Sequence, residues 1–105
     1  MRKKIIDQDI PLSENRRLIK KLWKVDKNKE FPQGLEFSYQ YLYFKNNRWI
    51  QVVRIDNQLH KGKKGVHIHT LDREKAEWEE MSFEDAEEKI LERGEIIINN
   101  IINKV

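Results

Sequence analysis

Apolar and polar positions alternate most cleanly between Leu35 and Phe44, where Leu35, Phe37, Tyr39, Tyr41 and Tyr43 take every second position. A period of two marks a strand with one face turned to a core. The other face gains Leu42 and Phe44 toward its end, so this strand is expected to be central and covered on both sides there. Lys45-Asn46-Asn47 is a turn signal, and Arg48 to Asp56 reads as the hairpin partner. In that partner Trp49, Val53 and Ile55 are expected to share one face, and Ile50, Val52 and Arg54 the other. Asn57 to Gly65 is a loop rich in Lys and Gly. Val66 to Leu71 predicts a third strand, with Val66 and Ile68 on one face and His67 and His69 on the other. After a polar turn at 72–75, Ala76 to Met81 predicts a short fourth strand that buries Trp78.

The period changes at both ends of this block. Phe83, Ala86, Ile90, Ile97 and Ile101 mark one helical stripe, joined by Leu91, Ile98 and Ile102. Ser82-Phe83-Glu84-Asp85 resembles a capping box with Asp85 in the last place. One long helix is expected over about 82–103, with Gly94 as a tolerated weak point. The alternative ends the helix at Gly94 and makes the following isoleucines a strand. At the other end, residues 1–12 are expected to form an extended or partly loose arm ending at Ile10-Pro11. Ser13 reads as an N-cap, and Leu18, Ile19, Leu22, Trp23 and Val25 follow helical spacing, with Arg16, Arg17, Lys20, Lys21 and Lys24 filling the other face. Asp26 to Gly34 is a polar connector.

The resulting expectation is an α+β fold: a four-stranded antiparallel β-meander packed against a long C-terminal helix and preceded by a short basic N-terminal helix. The 105 residues suffice for one domain, comprising arm 1–12, basic helix and connector 13–34, and sheet plus helix 35–105.

Composition narrows the chemistry. There is no cysteine, which excludes disulfides, thiolate metal sites and a cysteine nucleophile. No apolar run approaches the roughly 20 residues of a transmembrane helix, and no apolar stretch follows the basic Met1-Arg-Lys-Lys start in the manner of a signal peptide. A cytoplasmic location without membrane contact is therefore expected. The heavy use of Lys, Glu and Ile is compatible with a thermophilic source. Charge is unevenly distributed: residues 1–71 carry 16 Lys and Arg against 7 Asp and Glu, a net of +9, while residues 72–105 carry a net of −6. The basic part can attract an anionic partner, or the two parts can neutralise each other in the fold or in a homodimer.

All three histidines fall within His60–His69, in the run VRIDNQLHKGKKGVHIH. His67 and His69 are spaced so that on a strand they point to the same face. Two imidazoles there can act as a general acid and base on a phosphodiester. They can also ligate a divalent metal with His60 or Asp56 as a third donor, or hydrogen-bond structurally. Lys61, Lys63 and Lys64 can neutralise backbone phosphates, with Arg54 just upstream. Asp56 can pair with Arg54, and Asn57 can contact a ligand or cap the turn. Nucleotide-type phosphate loops, zinc-finger spacing and a serine nucleophile find no support. No cofactor or metal is assigned.

The aromatic strand, VVRIDN, the Gly/Lys loop, HIH and a Trp-bearing strand before a capped helix resemble the layout of TumE-type toxins of prokaryotic toxin–antitoxin systems and related small domains. The resemblance spans roughly residues 35–92 and places Arg54, Asp56, Asn57, Gly62, His67 and His69 at its matching positions. Ile55 stands where those families have an aromatic residue, and the basic segment 14–25 lies outside the shared layout. The resemblance implies action against RNA or translation and an antitoxin partner. The working expectation is RNA contact through a His/Lys face, with His67 and His69 as the proton-transfer pair and Lys64 stabilising charge. The alternative is a non-catalytic interaction module, a homodimer or toxin–antitoxin partner, in which the histidines are structural.

Overall fold

The computed structural model describes residues 1–58 and 65–103. It overturns the expectation for the first third of the chain. In place of a loose arm and a basic helix stands a β-hairpin, β1 (Lys3–Ser13) and β2 (Arg16–Lys24), turning at Glu14-Asn15. It continues into β3 (Leu35–Lys45), β4 (Arg48–Asp56), β5 (His67–Thr70) and β6 (Glu77–Trp78). Among the described residues the sheet thus has six antiparallel strands in chain order, not four, followed by a single helix, α1 (Phe83–Asn103).

The physical reason lies in β2. Leu18 and Leu22 are four residues apart, a spacing shared by the helical and the strand period. In the sheet they share a face with Arg16 and Lys20, and that face lies toward α1. The charges are accommodated because α1 supplies partners. Lys20 Nζ reaches Glu87 at 2.5 Å, and Arg16 Nε reaches Glu95 at 2.8 Å. Ile19 and Trp23 point the other way, where the Arg2 guanidinium lies 4.1 Å from the Trp23 ring centroid. Ser13, expected as a helix cap, bonds Asn15 Oδ1 inside the hairpin turn.

The β3–β4 hairpin closes at Asn46 and Asn47, whose φ values of 54° and 63° suit a two-residue turn of the primed type. A bulge follows. Tyr41 pairs with Val53 while Leu42 pairs with Gln51, so Val52 is the extra residue and β4 changes phase there. Ile50 therefore joins Val53 and Ile55 on the helix face. Trp49 turns to the other face and packs on Phe44 with centroids 5.1 Å apart. This corrects the uninterrupted alternation expected for β4.

The C-terminal helix runs through Gly94, and Ser82 Oγ accepts the Asp85 backbone N–H at 3.1 Å as its cap. It buries Ala86, Ile90, Gly94, Ile97 and Ile98 against β3 and β4. Each fully buried isoleucine there contributes about 1.5–3 kcal/mol. The Tyr39 ring stacks on Phe83 at 5.2 Å and its hydroxyl donates to the Phe83 carbonyl at 2.9 Å. Burial, reinforced by the negative charges of Glu87 and Glu84, pushes the Tyr39 phenol far above its ordinary range. The tyrosine face of β3 is thus a covered core surface, not a stacking platform.

Both sheet margins are irregular. β1 shifts register between Lys4 and Ile6 and again between Pro11 and Ser13, and β6 is only two residues long. Trp78, expected to be buried on β6, is 40 % exposed. Among the described residues no helix is long and apolar enough to cross a membrane.

Candidate functional site

Because Tyr39 faces the helix and pairs with Ile55, the neighbouring pair Ser38–Asp56 faces away from it. The same alternation carries into β5. Asp56 lies directly across from His67 and Arg54 directly across from His69, while Ile55 and Ile68 fill the core face between them. Four chemistry-bearing side chains are thereby gathered on the helix-free face by ladder register alone.

Burial grades across this group. Asp56 and His67 are 3 % and 2 % exposed, whereas His69 and Arg54 are half-buried. His67 Nε2 lies 2.6 Å from Asp56 Oδ1, and Arg54 Nε donates to Asp56 Oδ2 at 2.8 Å. The Gln58 backbone N–H also donates to Asp56 Oδ1, at 3.1 Å. The carboxylate is thus held from three directions, which fixes the His67 ring in turn. The His67 ring packs edge-on to Trp78 at 4.6 Å and to His69 at 5.4 Å. One ligand atom from each of Asp56, His67 and His69 lies within 4.8 Å of the others.

The network extends across the sheet. Arg54 Nη2 donates to Gln58 Oε1 at 3.0 Å, Gln58 Nε2 donates to Glu36 at 2.6 Å, and Arg2 grips Glu36 with two nitrogens at 2.8 and 3.2 Å. Burial alone would raise the Glu36 carboxyl, but the hydrogen bonds from Arg2 and Gln58 and the charge of Arg2 outweigh it. The group is held below its ordinary range and stays ionised.

Of the residues singled out from sequence, Arg54, Asp56, His67 and His69 come together. Asn57 lies beside them in the chain but is committed to β3: its Oδ1 accepts from the Phe37 N–H at 2.8 Å and its Nδ2 donates to the Leu35 carbonyl at 2.9 Å. It extends the ladder by one side-chain step. His60, Lys61, Gly62, Lys63 and Lys64 lie outside the described residues. His67 and His69 share a strand face as expected, but only His69 approaches the surface, because Asp56 and Trp78 enclose His67.

Sequence reasoning did not pick out Glu36, Gln58, Arg2 or Trp78 as members of this network. Glu36 had a visible signal, an acidic residue inside an aromatic strand on the side opposite the tyrosines. Arg2 had none, since its segment was expected to be an arm.

The charge asymmetry is partly resolved within the fold. Arg16–Glu95 and Lys20–Glu87 join the basic part to the acidic one, whereas Arg17–Asp9, at 3.0 Å, neutralises charge within the basic part. A separate hollow of about 610 Å³ opens where the 29–33 connector meets the start of α1. Its walls include Phe37, Met81 and Phe83, with Lys29, Glu80 and Glu84 among the charged residues.

Comparison with protein-family models, with curated proteins and with solved structures finds nothing that matches this chain.

Proposed function

We propose that the helix-free sheet face binds RNA, with Arg54 and His69 at the contact and the buried Asp56–His67 pair behind them, in a protein of the TumE-like toxin kind. The observation that carries this reading is the ladder pairing of Arg54 with His69 beside Asp56 with His67. It sets a cation and a rim imidazole next to a second imidazole whose orientation a carboxylate fixes. In this reading Arg54 engages a phosphate as a forked donor, and His69 exchanges a proton with the reacting oxygen. His67, held by Asp56 and walled by Trp78, lies behind His69 and supports it rather than meeting the substrate, which replaces the two-imidazole proton-transfer pair expected from the sequence. Lys61, Lys63 and Lys64, which lie outside the described residues, would supply further cations for phosphate.

Binding of mixed RNA oligonucleotides, followed by fluorescence anisotropy at two salt concentrations, tests the proposal. A salt-steep affinity that weakens at least tenfold in Arg54→Ala supports it. Loss of RNA cleavage or of growth inhibition in His69→Ala, with an unchanged melting temperature, supports the catalytic part. Absence of binding at low salt overturns the reading.

A second reading rests on the internal neutralisation of the basic strands, in which Arg2, Arg16, Arg17 and Lys20 each have an acidic partner. A chain that consumes its own cations in this way suits a protein-interaction module, a homodimer or the partner of an antitoxin, with His67 serving structure. The same salt experiment separates the two.

A further inference from the structure

We infer that Asp56, His67 and His69 form a binding site for one divalent transition-metal ion. The inference does not depend on RNA binding, since it asks only that three donor atoms close on one ion, and with an ion bound it takes the place of the proton-transfer role given to His69 above.

The donor set is two imidazoles and one carboxylate, a combination suited to zinc, iron(II) and cobalt(II) rather than to calcium or magnesium, which favour oxygen donors alone. One ligand atom from each of the three residues lies within 4.8 Å of the others. Donors sharing one tetrahedral ion at about 2.1 Å stand about 3.4 Å apart, so small side-chain rotations close the set. His67 Nε2 and Asp56 Oδ1, at 2.6 Å, need only part slightly as an ion replaces the proton between them.

The surroundings suit a metal in two further ways. The Asp56 carboxylate is oriented by Arg54 at Oδ2 and by the Gln58 N–H at Oδ1, the kind of support that holds a ligand ready for an ion. Trp78 walls the His67 side, while His69 opens to the helix-free face. An ion held by three protein donors keeps a coordination position free on that side, where water or a phosphate oxygen can bind. Arg54 is a neighbouring positive charge and lowers the affinity without blocking a donor, because it occupies the other carboxylate oxygen.

Cobalt(II) titration of the chelator-treated full chain, without RNA, tests the site. The expected result is one ion per chain with the visible absorption of a low-coordinate cobalt–histidine complex. His69→Ala and the milder His69→Gln should each weaken binding at least tenfold while the melting temperature without metal stays within about 2 °C of the parent. Because His69 is half-buried rather than enclosed, these variants retain the fold where a His67 variant risks losing it. No stoichiometric binding by the parent chain, or equal binding by parent and both His69 variants, overturns the inference. RNA affinity measured on the same metal-free chain fails or succeeds independently.

Discussion

Gly94 and Tyr41 meet so closely that a Cβ at position 94 would lie 2.7 Å from the Cγ and Cδ1 atoms of the tyrosine ring. The helix can rest on the sheet at this depth because the residue has no side chain. Gly94→Ala would gain about 1 kcal/mol of helix propensity. Against this, overpacking a tight contact costs about 1–3 kcal/mol. The expected outcome is a net loss of up to about 2 kcal/mol, read as a lower urea midpoint. A gain in stability would mean that the ring yields freely.

Glu95 ties α1 to β2 and β3. The hydrogen bond from Arg16 is the main cause holding its carboxyl below the ordinary value of 4.5, opposed by burial and assisted by the Tyr41 hydroxyl. A carboxylate with a depressed pKa in the folded state stabilises the protein above its unfolded pKa. That contribution is lost as pH falls through the folded value. Glu95→Gln should therefore lower the melting temperature at pH 7, by the equivalent of about 1 kcal/mol given the partial exposure of the pair. The difference should shrink as the pH is taken below 4.5. Thermal melts of both proteins from pH 7 down to pH 3 check this, and a constant gap would contradict it.

Asn57 completes two backbone hydrogen bonds of β3 with its side chain. Asn57→Ala leaves the Phe37 N–H and Leu35 C=O to solvent or unsatisfied, at a cost of about 1–3 kcal/mol. Asn57→Asp keeps the acceptor for Phe37 but sets a carboxylate oxygen against the Leu35 carbonyl, so it should be no better than alanine. Urea denaturation of both variants decides the matter. If Asp is fully tolerated, the ladder role is wrong.

Asn47 adopts a positive φ of 63° in the β3–β4 turn. Glycine carries no steric penalty there, so Asn47→Gly should be neutral or stabilising by up to about 1 kcal/mol, whereas Asn47→Val should destabilise by more than that. Differential scanning calorimetry of the pair gives the sign directly.

The alternating strands and the terminal helix were legible in the sequence because their information is local. Leu35 to Tyr43 needed only a period of two, Asn46-Asn47 only its turn chemistry, and the helix only its stripe and Ser82. The β1–β2 hairpin was not legible for an equally specific reason. Lys20 and Arg16 look like solvent-facing positions until Glu87 and Glu95 are brought opposite them, and those partners lie at the far end of the chain.

The site divides in the same way. His67 and His69 on one strand face followed from spacing, and the pairing of Arg54 with Asp56 followed from adjacency along β4. The register that sets Asp56 against His67 did not follow, because it depends on how two strands align rather than on either one. Nor did the enclosure of His67, which requires Trp78 to arrive from β6. The extra residue at Val52 was equally invisible: the β-branched pair Val52-Val53 reads the same with or without a bulge.

With register shifts at Lys4/Ile6 and Pro11/Ser13 along one side and a strand of two residues along the other, the described sheet presents only short regular borders to a foreign strand. Copies of the chain are thereby discouraged from polymerising edge to edge.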